Sequence, residues 1–403
     1  MRIDHAAILA GGYGKRLGNI TKKTPKPLLK INNLEFIKYL IFDLVINGFK
    51  KIVILTHYKD RLFRKELENF EFLNVKIICL KEKKPLGTGG SIAQLKKFKS
   101  DFLILNGDSY TRFNYKKFLS IKKIRLSKIL IVKNNNYKSN KKLNNLKIDQ
   151  NSKISFSNNK IYMNAGVYIF KKELIKKFKI EKCSLENDLL PTLINNNLVE
   201  GFISKNDFID IGLKKNLKKT SNFFKKIFKL KAVFFDRDGT LNKNYGYVFK
   251  IEKFKWLNGV IDTLKLLNFF KIKIIVITNQ SGIGRGYYSM KSYLNLIKEI
   301  NEKLKKDKIK IDRFYCAPYF KFAKEEIYRS SVNLRKPNNG MIIKAMRDFK
   351  LNKKNCFMIG DKKSDLIAAK KSKIKFYKKN KVSLYDQIIK NLQNFQLISK
   401  KNF

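Results

Sequence analysis

Ala232-Val233-Phe234-Phe235-Asp236-Arg237-Asp238-Gly239-Thr240-Leu241 is the stretch on which the reading of this chain turns. Four apolar residues in a row predict a strand buried on both faces. The strand ends on two aspartates with one residue between them, and Gly239 and Thr240 suit the tight turn that follows. Residues i and i+2 of extended backbone point the same way, so both carboxylates converge at the strand tip. Open α/β sheets place their active sites at such tips. One carboxylate can serve there as nucleophile and metal ligand, the other as proton donor.

Further along, Ile274-Ile275-Val276-Ile277 forms a second strand-like run, ending in Thr278-Asn279-Gln280-Ser281. Arg335-Lys336-Pro337 comes next, then Phe357-Met358-Ile359 running into Gly360-Asp361, with Asp365 close behind. The order is a strand with an aspartate pair, a strand with a threonine, a lysine, and a strand with an aspartate. This order resembles the haloacid dehalogenase superfamily of phosphatases. Gly246 between Tyr245 and Tyr247, and the run Ser281-Gly282-Ile283-Gly284-Arg285-Gly286, resemble within it the D-glycero-D-manno-heptose 1,7-bisphosphate 7-phosphatase family.

The resemblance implies that Asp236 is the nucleophile and Asp238 the acid and base. Magnesium would be held by Asp236, Asp361 and the main-chain carbonyl of Asp238. Thr278 and Lys336 would stabilise the phosphoryl oxygens. Tyr245, Gly246, Tyr247, Asn279, Gln280, Ser281 and Arg335 would contact substrate, with Lys362 and Asp365 in supporting places. The family often carries a zinc loop before Arg-Lys-Pro. Here Cys316 stands alone, with Pro318, Ser331 and Asn333 at the other ligand positions. One thiolate makes no structural zinc site, so no zinc is expected. Packing of Tyr319, Phe320 and Phe322 is expected to hold this loop instead.

The N-terminal half has its own glycine-rich loop. Ala6–Ala10 reads as a strand entering Gly11-Gly12-Tyr13-Gly14-Lys15-Arg16-Leu17, and Thr24-Pro25-Lys26-Pro27-Leu28 follows. Glycines let successive backbone N–H groups approach a phosphate. Together these stretches resemble the sugar-phosphate nucleotidylyltransferases. The resemblance gives Arg16 and Lys26 to the triphosphate and pyrophosphate, and Gly11, Gly12, Gly14, Gly87, Thr88 and Gly89 to the nucleotide. It gives Asn164, Gly166 and Glu186 to the sugar, and Asp108 and Asp210 to a second magnesium. Leu86-Gly87-Thr88-Gly89-Gly90 and Leu105-Asn106-Gly107-Asp108 look most like heptose 1-phosphate guanylyltransferases, and GTP is expected on that ground alone. After Asp210 the family's usual Thr-Pro-Glu is replaced by Leu213-Lys214-Lys215.

The expected fold class is therefore α/β with two domains, each a mainly parallel sheet flanked by helices. The first, residues 1–222, is a Rossmann-like nucleotidyltransferase fold; the second, residues 229–392, is haloacid dehalogenase-like. A Lys-rich helix with Phe223, Phe224, Ile227 and Phe228 at helical spacing joins them. Another helix is expected over residues 35–47, amphipathic, with Phe36, Leu40, Leu44 and Val45 inward.

The chain has 403 residues, 44% of them apolar, with no run of membrane-spanning length. No signal peptide precedes the first strand, and the four cysteines are scattered, so a cytoplasmic, reduced protein is expected. The formal charge is +57. Its lysines spread over the whole chain, which reads as background composition drawing in anionic substrates and not as a nucleic-acid surface. Small-molecule partners are expected: heptose phosphates and an NTP, with neither nucleic acid nor membrane. The alternatives are a hexose-1-phosphate nucleotidylyltransferase fused to a histidinol-phosphate-like phosphatase, a nucleic-acid-binding protein, and a sugar-nucleotide sensor.

Overall fold

The structure, a computed structural model, describes residues 3–398 except 15–16, 68–70, 73–74, 121–125, 135–142, 144, 159–160, 213–215, 324 and 330–331. Arg16, Ser331 and the Leu213-Lys214-Lys215 departure lie outside the described residues. The chain divides into two units, Met1–Lys225 and Lys226–Phe403.

In the first unit, strand His5–Leu9 pairs in parallel with Lys51–Thr56 on one side and Phe102–Asn106 on the other. Lys51–Thr56 pairs in turn with Val75–Lys81. The order of the parallel strands therefore reverses beside His5–Leu9. Such a reversal opens a crevice at the carboxyl ends of the two strands, because their connections leave in opposite directions. Leu9 runs from this point into the glycine-rich loop, and Asn106 into Asp108. The two ends are drawn together by Gly107, whose N–H donates to Leu9 O at 3.0 Å. A Cβ at Gly107 would stand 2.5 Å from that oxygen.

Tyr162–Phe170 extends the sheet, antiparallel to Phe102–Asn106 on one side and to Ser127–Lys133 on the other, where the register shifts between Asn164 and Tyr168. The irregularity re-aims the strand where Asn164 and Gly166 lie, as bulges near sites commonly do.

The helix Phe36–Ile46 is buried on every side rather than amphipathic. Its two charges are absorbed internally: Lys38 Nζ meets Glu35 at 3.0 Å, and Asp43 accepts from Tyr110 OH at 2.6 Å. The far side is covered by the joining helix Asn216–Ile227, whose Phe224 ring stacks on Tyr39 at 4.1 Å. That cover explains why the apolar stripe read from sequence was too narrow.

The second unit carries a five-stranded, all-parallel sheet. Ala232–Phe235 lies at its centre, between Lys273–Asn279 and Cys356–Gly360, with Arg313–Ala317 and Lys375–Lys378 at the edges. Ala232, Val233, Phe234 and Phe235 are all 0% exposed. The uninterrupted apolar run thus has its cause in helices covering both faces of a parallel sheet.

Candidate active sites

The crevice of the first unit is a cleft of about 650 Å³. Gly11, Gly12, Gly14, Lys26, Gly87, Thr88, Asp108, Asn164, Gly166, Glu186 and Asp210 all line it. Gly89 does not. Its N–H donates to Cys183 O at 2.9 Å, and a Cβ there would meet Leu189 at 2.8 Å, so it serves packing. The stretch from Gly87 to Ala93 is helical. Gly12 is the opposite case, since an added Cβ would meet nothing within 4 Å.

Asp108 and Asp210 come together because Phe208–Asp210 pairs with Ser109–Thr111, and Ile211 N donates to Asp108 O at 3.0 Å. Lys26, only 6% exposed, sends Nζ to Asp108 Oδ2 at 2.8 Å. A Cβ on Gly212 would be 2.7 Å from Asp210 Oδ1 and 3.0 Å from Lys26 Nζ. Two carboxylates and one ammonium thus share a small space. That donor set fits a hard divalent cation with oxygen ligands. It also shows Lys26 anchored on an aspartate as well as facing the cleft.

Across the cleft Glu186 accepts from Thr88 Oγ1 at 2.8 Å and faces Asn106 Nδ2 at 3.4 Å. Ser184 caps the turn that carries it, accepting from Asn187 N at 3.1 Å. Asn164 spends its oxygen on Gly166 N at 2.8 Å and its amide on Tyr168 OH at 2.6 Å. Glu82 lines the same cleft, is 3% exposed and accepts from Leu86 N at 3.1 Å and from Ser91 Oγ. No sequence argument singled it out, although an acid three residues before Pro85 in a Lys-rich stretch was visible.

In the second unit, Asp236, Thr278, Lys336, Asp361 and Asp365 gather at the carboxyl ends of the central strands. Lys336 is 3% exposed and lies 2.6 Å from Asp236 Oδ1 and 2.6 Å from Asp365 Oδ1, donating also to Ile277 O at 2.8 Å. Asp365 is 0% exposed and accepts the Lys362 N–H at 3.0 Å. It belongs to the centre of the site, not its periphery.

Asp236, Asp361 and Asp365 each offer an oxygen within 4.8 Å of the others. Asp361 Oδ1 is buried and has no hydrogen-bond partner among the described residues. These observations fit a divalent cation. Burial, then the neighbouring Asp365, raises the Asp236 carboxyl to about 7 against the opposing pull of Lys336. The two carboxylates in turn hold Lys336 above its ordinary value despite burial.

Other predicted contacts fall differently. Asn279 clamps the main chain of Lys336, giving Nδ2 to its O at 2.9 Å and taking its N–H at 3.0 Å. Gln280 is 3% exposed and bonded wholly inward. Both side chains are thus engaged within the protein. Ser281 opens the short helix to Gly284. Tyr245 and Tyr247 are exposed, Gly246 takes a positive φ of 69°, and Tyr247 meets Tyr287 edge-on at 4.7 Å. Arg335 donates to Tyr319 O at 3.0 Å. Burial and the nearby Arg285 push its pKa down, so an anion between the two would be welcome. Arg285 itself lies 3.6 Å over the Phe320 ring. Phe322 is 75% exposed, although its ring meets Phe320 edge-on at 5.8 Å. Cys316 is a free thiol, pushed up to about 12 by burial.

Comparison with known proteins agrees with both geometries. The nucleotidyl transferase family model matches residues 5–227, and the polynucleotide kinase 3 phosphatase model matches residues 231–383. The D-glycero-beta-D-manno-heptose-1,7-bisphosphate 7-phosphatase of Haemophilus influenzae is 40% identical over 132 residues, 33% of this chain and 71% of that protein. The D-glycero-alpha-D-manno-heptose-1,7-bisphosphate 7-phosphatase of Burkholderia mallei is 38% identical over 136 residues, 34% of this chain and 72% of that one. The crystal structure of HddC from Yersinia pseudotuberculosis is 30% identical, covers 56% of this chain and 100% of its own, and superposes with a TM-score of 0.48.

Proposed function

We propose, for a chain that belongs to the nucleotidyl transferase family through residues 5–227 and to the heptose bisphosphate 7-phosphatases through its second unit, that it performs two consecutive reactions. The second unit hydrolyses the 7-phosphate of D-glycero-D-manno-heptose 1,7-bisphosphate. The first unit joins the resulting heptose 1-phosphate to a nucleoside monophosphate, from GTP, and releases pyrophosphate. Both act in the cytoplasm on soluble substrates. The observation that carries this reading is the buried Asp236–Lys336–Asp365 chain with Asp361 beside it.

Magnesium, which Asp236, Asp361 and the Asp238 carbonyl would hold in one unit and Asp108 and Asp210 in the other, would supply positive charge against the phosphates. Asp236 attacks phosphorus, and the bond to the sugar oxygen breaks as Asp238 gives that oxygen a proton. The Asp238 carboxylate then takes a proton from water, which attacks the aspartyl-phosphate and frees inorganic phosphate. Lys336 and Thr278 meet the equatorial oxygens, and Arg335 grips the second phosphate. In the first unit, Lys26 and Arg16 neutralise the triphosphate. The backbone of Gly11, Gly12 and Gly14 cradles it, Gly87 and Thr88 hold the nucleotide, and Asn164, Gly166 and Glu186 hold the sugar.

The test is to incubate the full chain with magnesium, each anomer of heptose 1,7-bisphosphate and each NTP in turn, following phosphate and pyrophosphate separately. Phosphate in every reaction, with pyrophosphate only alongside GTP, is expected. Phosphate alone would remove the heptose transferase; neither product would remove the heptose assignment.

A further inference from the structure

The residue between the two catalytic aspartates is the unusual one. A period of two would aim Arg237 away from both neighbours. Instead it is 1% exposed and stands first among the largest fully buried side chains. Burying a guanidinium costs several kcal/mol unless a specific partner compensates it. The partner here is Asp238. Arg237 Nη2 lies 2.9 Å from Asp238 Oδ2, and Nε lies 3.2 and 3.1 Å from the two carboxylate oxygens. The guanidinium is held in turn by Val248 O at 2.6 Å.

Two further side chains close around the same carboxylate. Asn242 Nδ2 donates to Asp238 Oδ1 at 2.9 Å, and Gln280 Nε2 donates to Oδ2 at 2.9 Å. Gln280 Nε2 also donates to Thr278 Oγ1 at 2.8 Å. The Thr278 hydroxyl therefore keeps its own hydrogen for another acceptor. Gln280 is oriented by Tyr288, whose OH donates to Oε1 at 2.5 Å, and the Tyr288 ring is fixed by stacking on Phe249 at 4.6 Å.

We propose that Arg237, Gln280 and Tyr288 are positioning residues that fix Asp238 relative to the scissile bond. They touch no substrate. They set the angle from which Asp238 delivers a proton to the departing oxygen while Thr278 faces the phosphoryl group. This rests on the function proposed above. A misplacement of about 1 Å costs on the order of a hundredfold when a reacting group is pre-oriented.

The leaving group separates this role from simple support of the fold. A sugar alkoxide is a poor leaving group and needs the proton; p-nitrophenolate does not. The constant kcat/KM reports the steps up to release of that group. Arg237→Lys is expected to lower kcat/KM about 10- to 100-fold for heptose 1,7-bisphosphate, and by no more than about twofold for p-nitrophenyl phosphate. Tyr288→Phe keeps the ring and deletes one donor, so it tests the same idea if the arginine variant does not fold. Its expected loss is about 3- to 10-fold, again confined to the sugar ester. Equal losses on both substrates, or no loss on either, would overturn the positioning role while leaving the phosphatase in place. Wild-type enzyme that hydrolyses p-nitrophenyl phosphate but no alkyl phosphate would overturn both.

Discussion

Replacing Asp236 by asparagine should stabilise the metal-free second unit while ending its activity. Asp236 is buried, and its folded-state value stands at about 7 against an ordinary 3.8. A carboxyl raised in this way favours the fold only while protonated. The stability is therefore full below about pH 4 and is lost as pH rises towards 7. At about 1.4 kcal/mol per factor of ten in proton affinity, the full loss is about 4 kcal/mol. Asparagine has the shape of the protonated form and cannot ionise. Asp236→Asn should then be more stable than wild type by up to about 4 kcal/mol at pH 8, with the gap shrinking to below about 1 kcal/mol at pH 4. Trp256, the chain's single tryptophan, lies in the second unit, so denaturant unfolding followed by its fluorescence reports that unit. Magnesium at about a hundredfold its dissociation constant adds about 3 kcal/mol to wild type and should close most of the gap at neutral pH. A variant no more stable than wild type at pH 8 without metal, or a gap that widens towards pH 4, would refute the reasoning.

Lys26→Met removes the ammonium between Asp108 and Asp210. Pyrophosphate release should fall at least about a hundredfold, with phosphate release by the second unit unchanged. Gly87→Ala puts a Cβ 2.5 Å from Cys183 O at a φ of +69°. The first unit should lose about 2 kcal/mol of stability, read by denaturant unfolding, and KM for the NTP should rise. Glu186→Gln keeps the shape but loses the charged acceptor that faces the cleft and Thr88. KM for the sugar 1-phosphate should rise about tenfold, with KM for the NTP nearly constant.

What the sequence disclosed were features carried by the backbone. Aspartates at strand tips, glycines after a strand and apolar runs without interruption are local signals, and parallel sheets set their active sites by topology. Asp236 and Asp361 lie at one edge because their strands pair side by side, and Asp108 meets Asp210 because Phe208–Asp210 pairs with Ser109–Thr111. What stayed hidden was side-chain direction, which depends on distant packing. Gln280 and Asn279 follow Thr278 in a strand-end motif, yet one turns inward to Asp238 and the other to the main chain of Lys336. Gly87, Gly89 and Gly90 look alike in one dimension and all three pack tightly, yet of them Gly87 also lines the cleft. Phe36–Ile46 reads as a one-sided helix until the joining helix covers its other face.

Lysine illustrates the same division more sharply. Lys and Arg number 89 against 32 Asp and Glu, so identity alone says almost nothing about which cation matters. Burial says more. The buried lysines among the described residues are Lys26, Lys38, Lys128 and Lys336. Lys38 is neutralised by Glu35 inside the fold, and Lys128 faces the carbonyl of Phe118 at 3.4 Å, which accounts for both structurally. Lys26 and Lys336 are instead each lodged against aspartates at the carboxyl edge of a parallel sheet. An ammonium held there costs desolvation that surface lysines avoid, and it gains an interaction that salt screens little. The two units, with unrelated motifs, thus solve one problem alike. Each gathers carboxylates and one buried lysine in the same small space, an arrangement suited to a cation and phosphate oxygens together.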